Sequence, residues 1–291
     1  MTARVVFAYS GTAGAWRAIA ATAAARGAEI VTLTIDLGQG TDVEDVRDAA
    51  LAGGAVRAHV LDVREEFARD YVLPALHANA LQRDPMALAL AAQLASRKLE
   101  EVAAIEGAAP VAESVMMQHN LLGRQGAAYT LTKAPADAPQ TPAQVELAFE
   151  RGVPVAINGV SMALTELIES LSIIAGHHGV GRIEPGSGTG DRGSEETSMR
   201  EPHTDPRSPT PDPPSCGEAP AAVVLIAAYT ALAEACHPAS ASGTVRINLL
   251  KGAHTVVGIR GRGPGIGPDQ SPIGSDQSPI PDPRSSRVVS S

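Results

Sequence analysis

Apolar and polar positions follow a strand–helix rhythm over the first 112 residues. Arg4–Tyr9 is a short continuous apolar run suited to a buried parallel strand. Trp16–Arg26 is Ala-rich and helix-favouring, and Gly27 is a natural stop. Glu29–Ile35 alternates and is β-branched, which predicts a second strand. Thr41 is expected as an N-cap, with Glu44 completing a capping box for a helix over Asp42–Ala52. Ala55–Leu61 reads as a third strand and Val63–Ala80 as helix. Met86–Glu106 has helical periodicity ending at Gly107, and Ala108–Ala112 resembles the start of a fourth strand. This order specifies an α/β unit with a parallel sheet and right-handed crossovers.

Beyond residue 112 the pattern changes. Glu113–Arg124 reads as a polar, Met-rich join, Tyr129–Lys133 as a strand, and Ala134–Pro142 as a Pro-rich turn. Val145–Phe149 and Val153–Ile157 form a predicted hairpin, followed by the tight-turn pair Asn158-Gly159 and an amphipathic helix over Leu164–Gly176. Residues 184–217 carry Pro, Ser, Gly and charged side chains with almost no aliphatics, too little apolar surface to offset ordering entropy, and read as disordered. Ala219–Cys236 is again helical, and Thr244–Leu250 with Thr255–Ile259 reads as a hairpin turning at Gly252. Residues 261–291 form a second low-complexity tail. The tail repeats DQSPI at Asp269–Ile273 and Asp276–Ile280, too short for a structural repeat.

Composition narrows this picture. The chain has 291 residues, of which 3% are aromatic, so its core rests on small and aliphatic side chains. A net charge of −9 argues against a nucleic-acid binder, which needs a basic face. Cys216 and Cys236 lie far apart and read as two unpaired thiols of a cytoplasmic protein. No stretch approaches the roughly 18 consecutive apolar residues of a membrane span, and the start lacks the pattern of a signal peptide.

The candidate chemistry sits in Val5–Trp16, VVFAYSGTAGAW, and in Thr34–Gly40, TIDLGQG. An apolar strand ending in Ser-Gly before a helix is the local geometry in which backbone N–H groups hold a phosphate. These residues resemble the start of the argininosuccinate synthase family, AYSGG-L-D-T-S, and its D-L-G-Q-G-like second turn. The resemblance extends in the family's order through Glu65–Ala80, Asn120–Arg124, Ala127–Gly159, Thr165–Ile183, Glu218–Leu232 and Gly243–Gly258. It implies a fold with an adenine nucleotide α-hydrolase-like N-terminal unit over 1–112, shortened relative to the family. An α+β part would follow over 113–183 and 218–260, interrupted by the insert 184–217 and followed by the tail 261–291.

The resemblance also implies a reaction. ATP, with Mg²⁺, activates citrulline as an adenylate, and the amine of aspartate then displaces AMP. No protein nucleophile is required, so positioning and charge stabilisation carry the chemistry, and no catalytic residue is assigned. Ala8, Tyr9, Ser10 and Gly11 match the nucleotide loop. Beyond them the family's second Gly is Thr12, its Asp is Gly14 and its final Ser is Trp16. A family Tyr falls on Gln82, and the family's A-R-P has become Ala91-Ala92-Gln93. The H-G-x-T-G-K-G-N-D segment expected after Ala112 is absent. Of the substrate-side Tyr-Glu pair only Glu218 remains as a candidate contact.

Two readings follow: a reduced C–N ligase, or a non-catalytic relative. The latter would bind nucleotide weakly or assemble with a full-length synthase, as the family's own homo-oligomers do. The histidines His119, His177 and His178 match no standard metal spacing. Glu65-Glu66 reads as a solvated face, and Met116-Met117 as core filling.

Overall fold

The computed structural model describes residues 3–9, 16–40, 42–111, 119–183, 216–236 and 241–261. Its N-terminal unit is a doubly wound parallel sheet. Strand β1 (Arg4–Ala8) leads to helix α1 (Trp16–Arg26), β2 (Glu29–Asp36), α2 (Val43–Ala52) and β3 (Arg57–Asp62). A helical stretch of α3 (Arg64–Phe67), one π-turn (Ala68–Val72) and α4 (Leu73–His77) follows, then a 3₁₀ turn (Ala80–Gln82), α5 (Leu88–Glu106) and β4 (Ala109–Val111). The strand order is β3-β2-β1-β4, all parallel.

Alternation within the strands explains why both sheet faces are covered. Val6, Val31 and Leu33 face one core with Phe67, Leu94 and Leu99, whereas Val5, Phe7 and Ile30 face the other with Ile19 and Val46. Burial on both faces is why these strands are nearly continuous apolar runs. The π-turn lies just ahead of Pro74, which has no N–H and whose ring crowds the preceding turn, so the ladder widens there instead of breaking.

The rest is antiparallel. A small sheet orders β10 (Arg182–Ile183), β11 (Cys216–Glu218), β6 (Gly123–Gly126) and β5 (His119–Asn120). A larger one orders β13 (Ala253–Gly261), β12 (Gly243–Leu250), β7 (Ala143–Glu150), β8 (Val153–Ile157) and β9 (Val160–Ser161). Helices α6 (Leu164–His177) and α7 (Pro220–Ala235) pack against the larger sheet, and their buried residues Leu167, Ile168, Leu171 and Leu225 join the same core as Val6 and Leu33. The Asn158-Gly159 turn is left-handed at both residues, as its sequence predicts.

Several expectations need correction. Asp42, not Thr41, caps α2: its carboxylate accepts from the N–H groups of Glu44 and Asp45. Tyr129–Lys133 is a loop, because a carboxylate from β11 occupies the N–H groups a ladder would need. The join over 113–124 contains β5 and β6, whose polar and glycine residues carry no strand signal. Cys216 and Gly217, expected as disordered, lie in β11. Residues 184–215, the tail beyond Gly261, and Met116-Met117 lie outside the described residues.

Candidate nucleotide site

The chain crosses to one face of the parallel sheet after β1 and β2 and to the other after β3. The carboxyl ends of β1 and β4 therefore flank the switch point of the sheet, the place where open α/β folds accept ligands. Ala8 ends β1 beside that switch point and Tyr9 follows it. The Tyr9 N–H donates to the Leu33 carbonyl at 2.8 Å, and the Thr34 hydroxyl donates to the Tyr9 carbonyl at 3.0 Å. The Tyr9 ring is buried in the core shared with Ile19 and Val46, and burial pushes its phenol up from the ordinary value. Tyr9 thus anchors the strand end through its backbone. Ser10 and Gly11, with Gly14, lie outside the described residues.

The neighbouring turn braces itself. The Gly38 N–H donates to Asp36 Oδ1 at 2.8 Å, and the Gln39 side chain accepts from the Leu37 N–H and donates to the Ile35 carbonyl. Gly38 has φ +85°, and a Cβ there would run into the Leu121 side chain. Arg64, at the head of α3, donates to Asp62 at 2.8 Å and lies 3.6 Å from both Asp36 and Glu169. The Asp62 hydrogen bond leads the effects that hold its guanidinium protonated. Sequence reasoning passed over Arg64, although an Asp at the end of β3 followed closely by an Arg was a usable signal.

Of the substrate-side positions, Arg124 and Glu218 pair in the small sheet, whereas Gln82 and Ala91–Gln93 lie on helical segments. Gln82 is exposed and lines an open, largely apolar groove of about 410 Å³ along α7, with Val223, Ile226 and Thr230. Ala91 is fully buried, Ala92 is half-buried and Gln93 is exposed. In the Asn120–Arg124 motif, buried Asn120 donates to the Met86 carbonyl and accepts from the Leu122 N–H, fixing the β5–β6 hairpin. Glu218 sits in the small antiparallel sheet, a different sheet from that of β1, and is wholly buried. Its carboxylate accepts from the N–H groups of Thr130, Leu131 and Thr132 and from the Thr132 hydroxyl. Burial pushes this carboxyl up, but those donors outweigh it and hold the net value below the ordinary one.

Among the described residues no group of three or more His, Cys, Asp or Glu could hold a metal ion, and no helix is long and apolar enough to cross a membrane.

Comparison with known proteins supplies the lineage. The family model for the arginosuccinate synthase N-terminal HUP domain matches residues 4–121, and that for the arginosuccinate synthase C-terminal domain matches residues 110–185. An argininosuccinate synthase of Streptococcus suis is 31% identical over 253 residues, covering 62% of this chain and 63% of the relative. One from Synechococcus elongatus is 34% identical over 228 residues, covering 54% and 57%. The chain thus spans less than two thirds of the length of these curated relatives. A solved NAD+ synthetase from Burkholderia pseudomallei covers 38% of this chain and 52% of its own, at TM-score 0.26 and 20% identity, too slight a likeness to bear on the fold. Motifs in the family's order, a parallel sheet of the expected topology and two consecutive domain matches agree: the chain belongs to the argininosuccinate synthase family.

Proposed function

We propose that this chain is a shortened argininosuccinate synthase homologue that holds an adenine nucleotide beside the carboxyl ends of β1 and β4 and has lost its grip on the two amino-acid substrates. One observation carries the nucleotide half: β1 ends at Ala8 beside the switch point of a sheet ordered β3-β2-β1-β4, and Ser10 and Gly11 come next but one in the sequence. A serine hydroxyl and an unhindered glycine backbone suit phosphate oxygens. With Gly14 where the family has a carboxylate, Mg²⁺ would arrive on the nucleotide's own phosphates, which the ion's preference for phosphate and water ligands allows.

The amino-acid half rests on what replaces the family's polar groups. Ala92 cannot supply the cation of the family's A-R-P, and Gln82 lies on the α7 groove. Each lost contact to a developing charge costs roughly 3–4 kcal/mol in the transition state. Glu218 has its oxygens committed to the 130–132 loop, so it acts on a substrate only through that loop. The family's ligation of citrulline and aspartate, with release of AMP and pyrophosphate, is therefore expected at background level, and the cytoplasm is the compartment this kinship implies.

Calorimetry with ATP–Mg²⁺ tests the first half: wild type is expected to bind and Ser10→Ala to bind more weakly, and equal heats would reject the loop. Formation of AMP from ATP, citrulline and aspartate tests the second half, where turnover clearly above buffer would overturn it. A second reading, assembly with a full-length synthase, is favoured by the apolar outer face of α7 and by Ile173 on α6, which is 73% exposed. Co-purification with an intact synthase would support it.

A further inference from the structure

The loop Tyr129–Lys133 is built as an anion cradle, and the chain fills it from within. The consecutive N–H groups of Thr130, Leu131 and Thr132 converge on the Glu218 carboxylate at 2.7 to 3.1 Å. The Thr132 hydroxyl adds a further donor at 2.7 Å. Successive N–H groups turned toward one point form a concavity with a fixed positive potential, suited to any anion of the right size.

The cradle is braced by residues other than its occupant. Cross-strand pairing sets His119 opposite Arg124, Arg124 opposite Glu218, and Glu218 opposite Arg182, so all four share one face of the small sheet. The Arg182 guanidinium lies 4.1 Å from the Tyr129 ring centroid and donates to the Thr132 hydroxyl and carbonyl oxygens. Arg124 donates to the Thr130 hydroxyl. At the far end of the loop, the Lys133 N–H donates to the Gly176 carbonyl at 2.9 Å. None of these braces passes through the Glu218 carboxylate, and two cations flank it.

We propose that Tyr129–Lys133 is a carboxylate-binding site that the chain occupies with Glu218 as an internal ligand, and that a small free carboxylate takes its place when that side chain is removed. Glu218 is then a positioning residue for the loop. In the intact chain the tethered carboxylate excludes free ones through its high effective concentration. The proposal stands independently of nucleotide binding.

Chemical rescue tests it in the full-length chain. Glu218→Ala deletes a fragment that acetate closely matches, and acetamide has the same shape without the charge. The variant is expected to melt several degrees below wild type, and acetate to restore most of that loss saturably against equal concentrations of chloride. Acetamide should restore nothing, and wild type should not respond to acetate. Equal rescue by acetamide, an equal acetate shift in wild type, or a variant as stable as wild type would each overturn the site. If the variant folds only when refolded in acetate, the proposal is supported. If it folds in neither salt, hydrogen exchange in wild type decides: protected amides at Thr130, Leu131 and Thr132 support the cradle, and fast exchange at all three overturns it.

Discussion

Near the end of a helix, alanine in place of glycine gains up to about 1 kcal/mol from a stiffer unfolded chain. At Gly176 a Cβ would overlap the carbonyl oxygen of Leu131, a backbone atom in the loop that Glu218 holds. Backbone cannot step aside as a side-chain tip can, so the overlap wins. Gly176→Ala is expected to destabilise by about 1–3 kcal/mol, read as a lower urea midpoint at unchanged slope.

Glu106 supplies a second residue-scale prediction. Its carboxylate is only 2% exposed and accepts from His59 and Arg57 at 2.7 Å, with Arg4 at 3.4 Å. The His59 hydrogen bond, then that of Arg57, holds its carboxyl below the ordinary value. A carboxyl depressed in the folded state stabilises fully above its unfolded value of about 4.3 and loses that contribution as pH falls through the folded value. Melting temperature should therefore drop on acidification below about pH 4.3, and Glu106→Gln should flatten that limb. Glu218 stands in the sequence as a candidate substrate contact, and in the structure its carboxylate binds the 130–132 loop. Its partners were not legible in the sequence, because they lie 86 to 88 residues away in a segment that reads as a strand.

At the scale of elements, the strands of the parallel sheet and the longer helices were legible because their apolar runs and periodicity dominate locally. What failed was decided by side chains arriving from elsewhere or by single-residue choices. Thr41 and Asp42 are both good caps, and the carboxylate that reaches the Glu44 and Asp45 N–H groups belongs to Asp42. Asp42→Ala is expected to cost about 1 kcal/mol in a thermal melt. The Val63–Ala80 helix was expected without its π-turn, although Pro74 within it was the available warning. The short strands β5 and β6 owe their pairing to buried Asn120 and to Gly123, where a Cβ would overlap the Glu218 carbonyl. No local propensity encodes such a contact.

At the scale of the molecule, one continuous core runs from Val6, Val31 and Leu33 in the parallel sheet to Leu171, Leu225 and Ile247 in the C-terminal part. The change of pattern at residue 112 carries no sign of this, since the shared core is assembled from residues far apart along the chain. Wild type is expected to unfold in a single cooperative transition by calorimetry. A fragment ending at residue 112 would bare the apolar face of α5 and is expected to aggregate. Among the described residues β4 is an edge strand, which adds to that risk: it has three residues, two of them exposed, and its Pro110 offers no N–H for pairing.

The common interior also limits how the molecule can move. Two lobes joined through a thin neck can swing shut over a guest, whereas here such a swing would tear apart the packing that gives both lobes their shape. A nucleotide bound as proposed would be admitted by local rearrangement around the ends of β1 and β4. Small-angle scattering is accordingly expected to report the same radius of gyration with and without ATP–Mg²⁺.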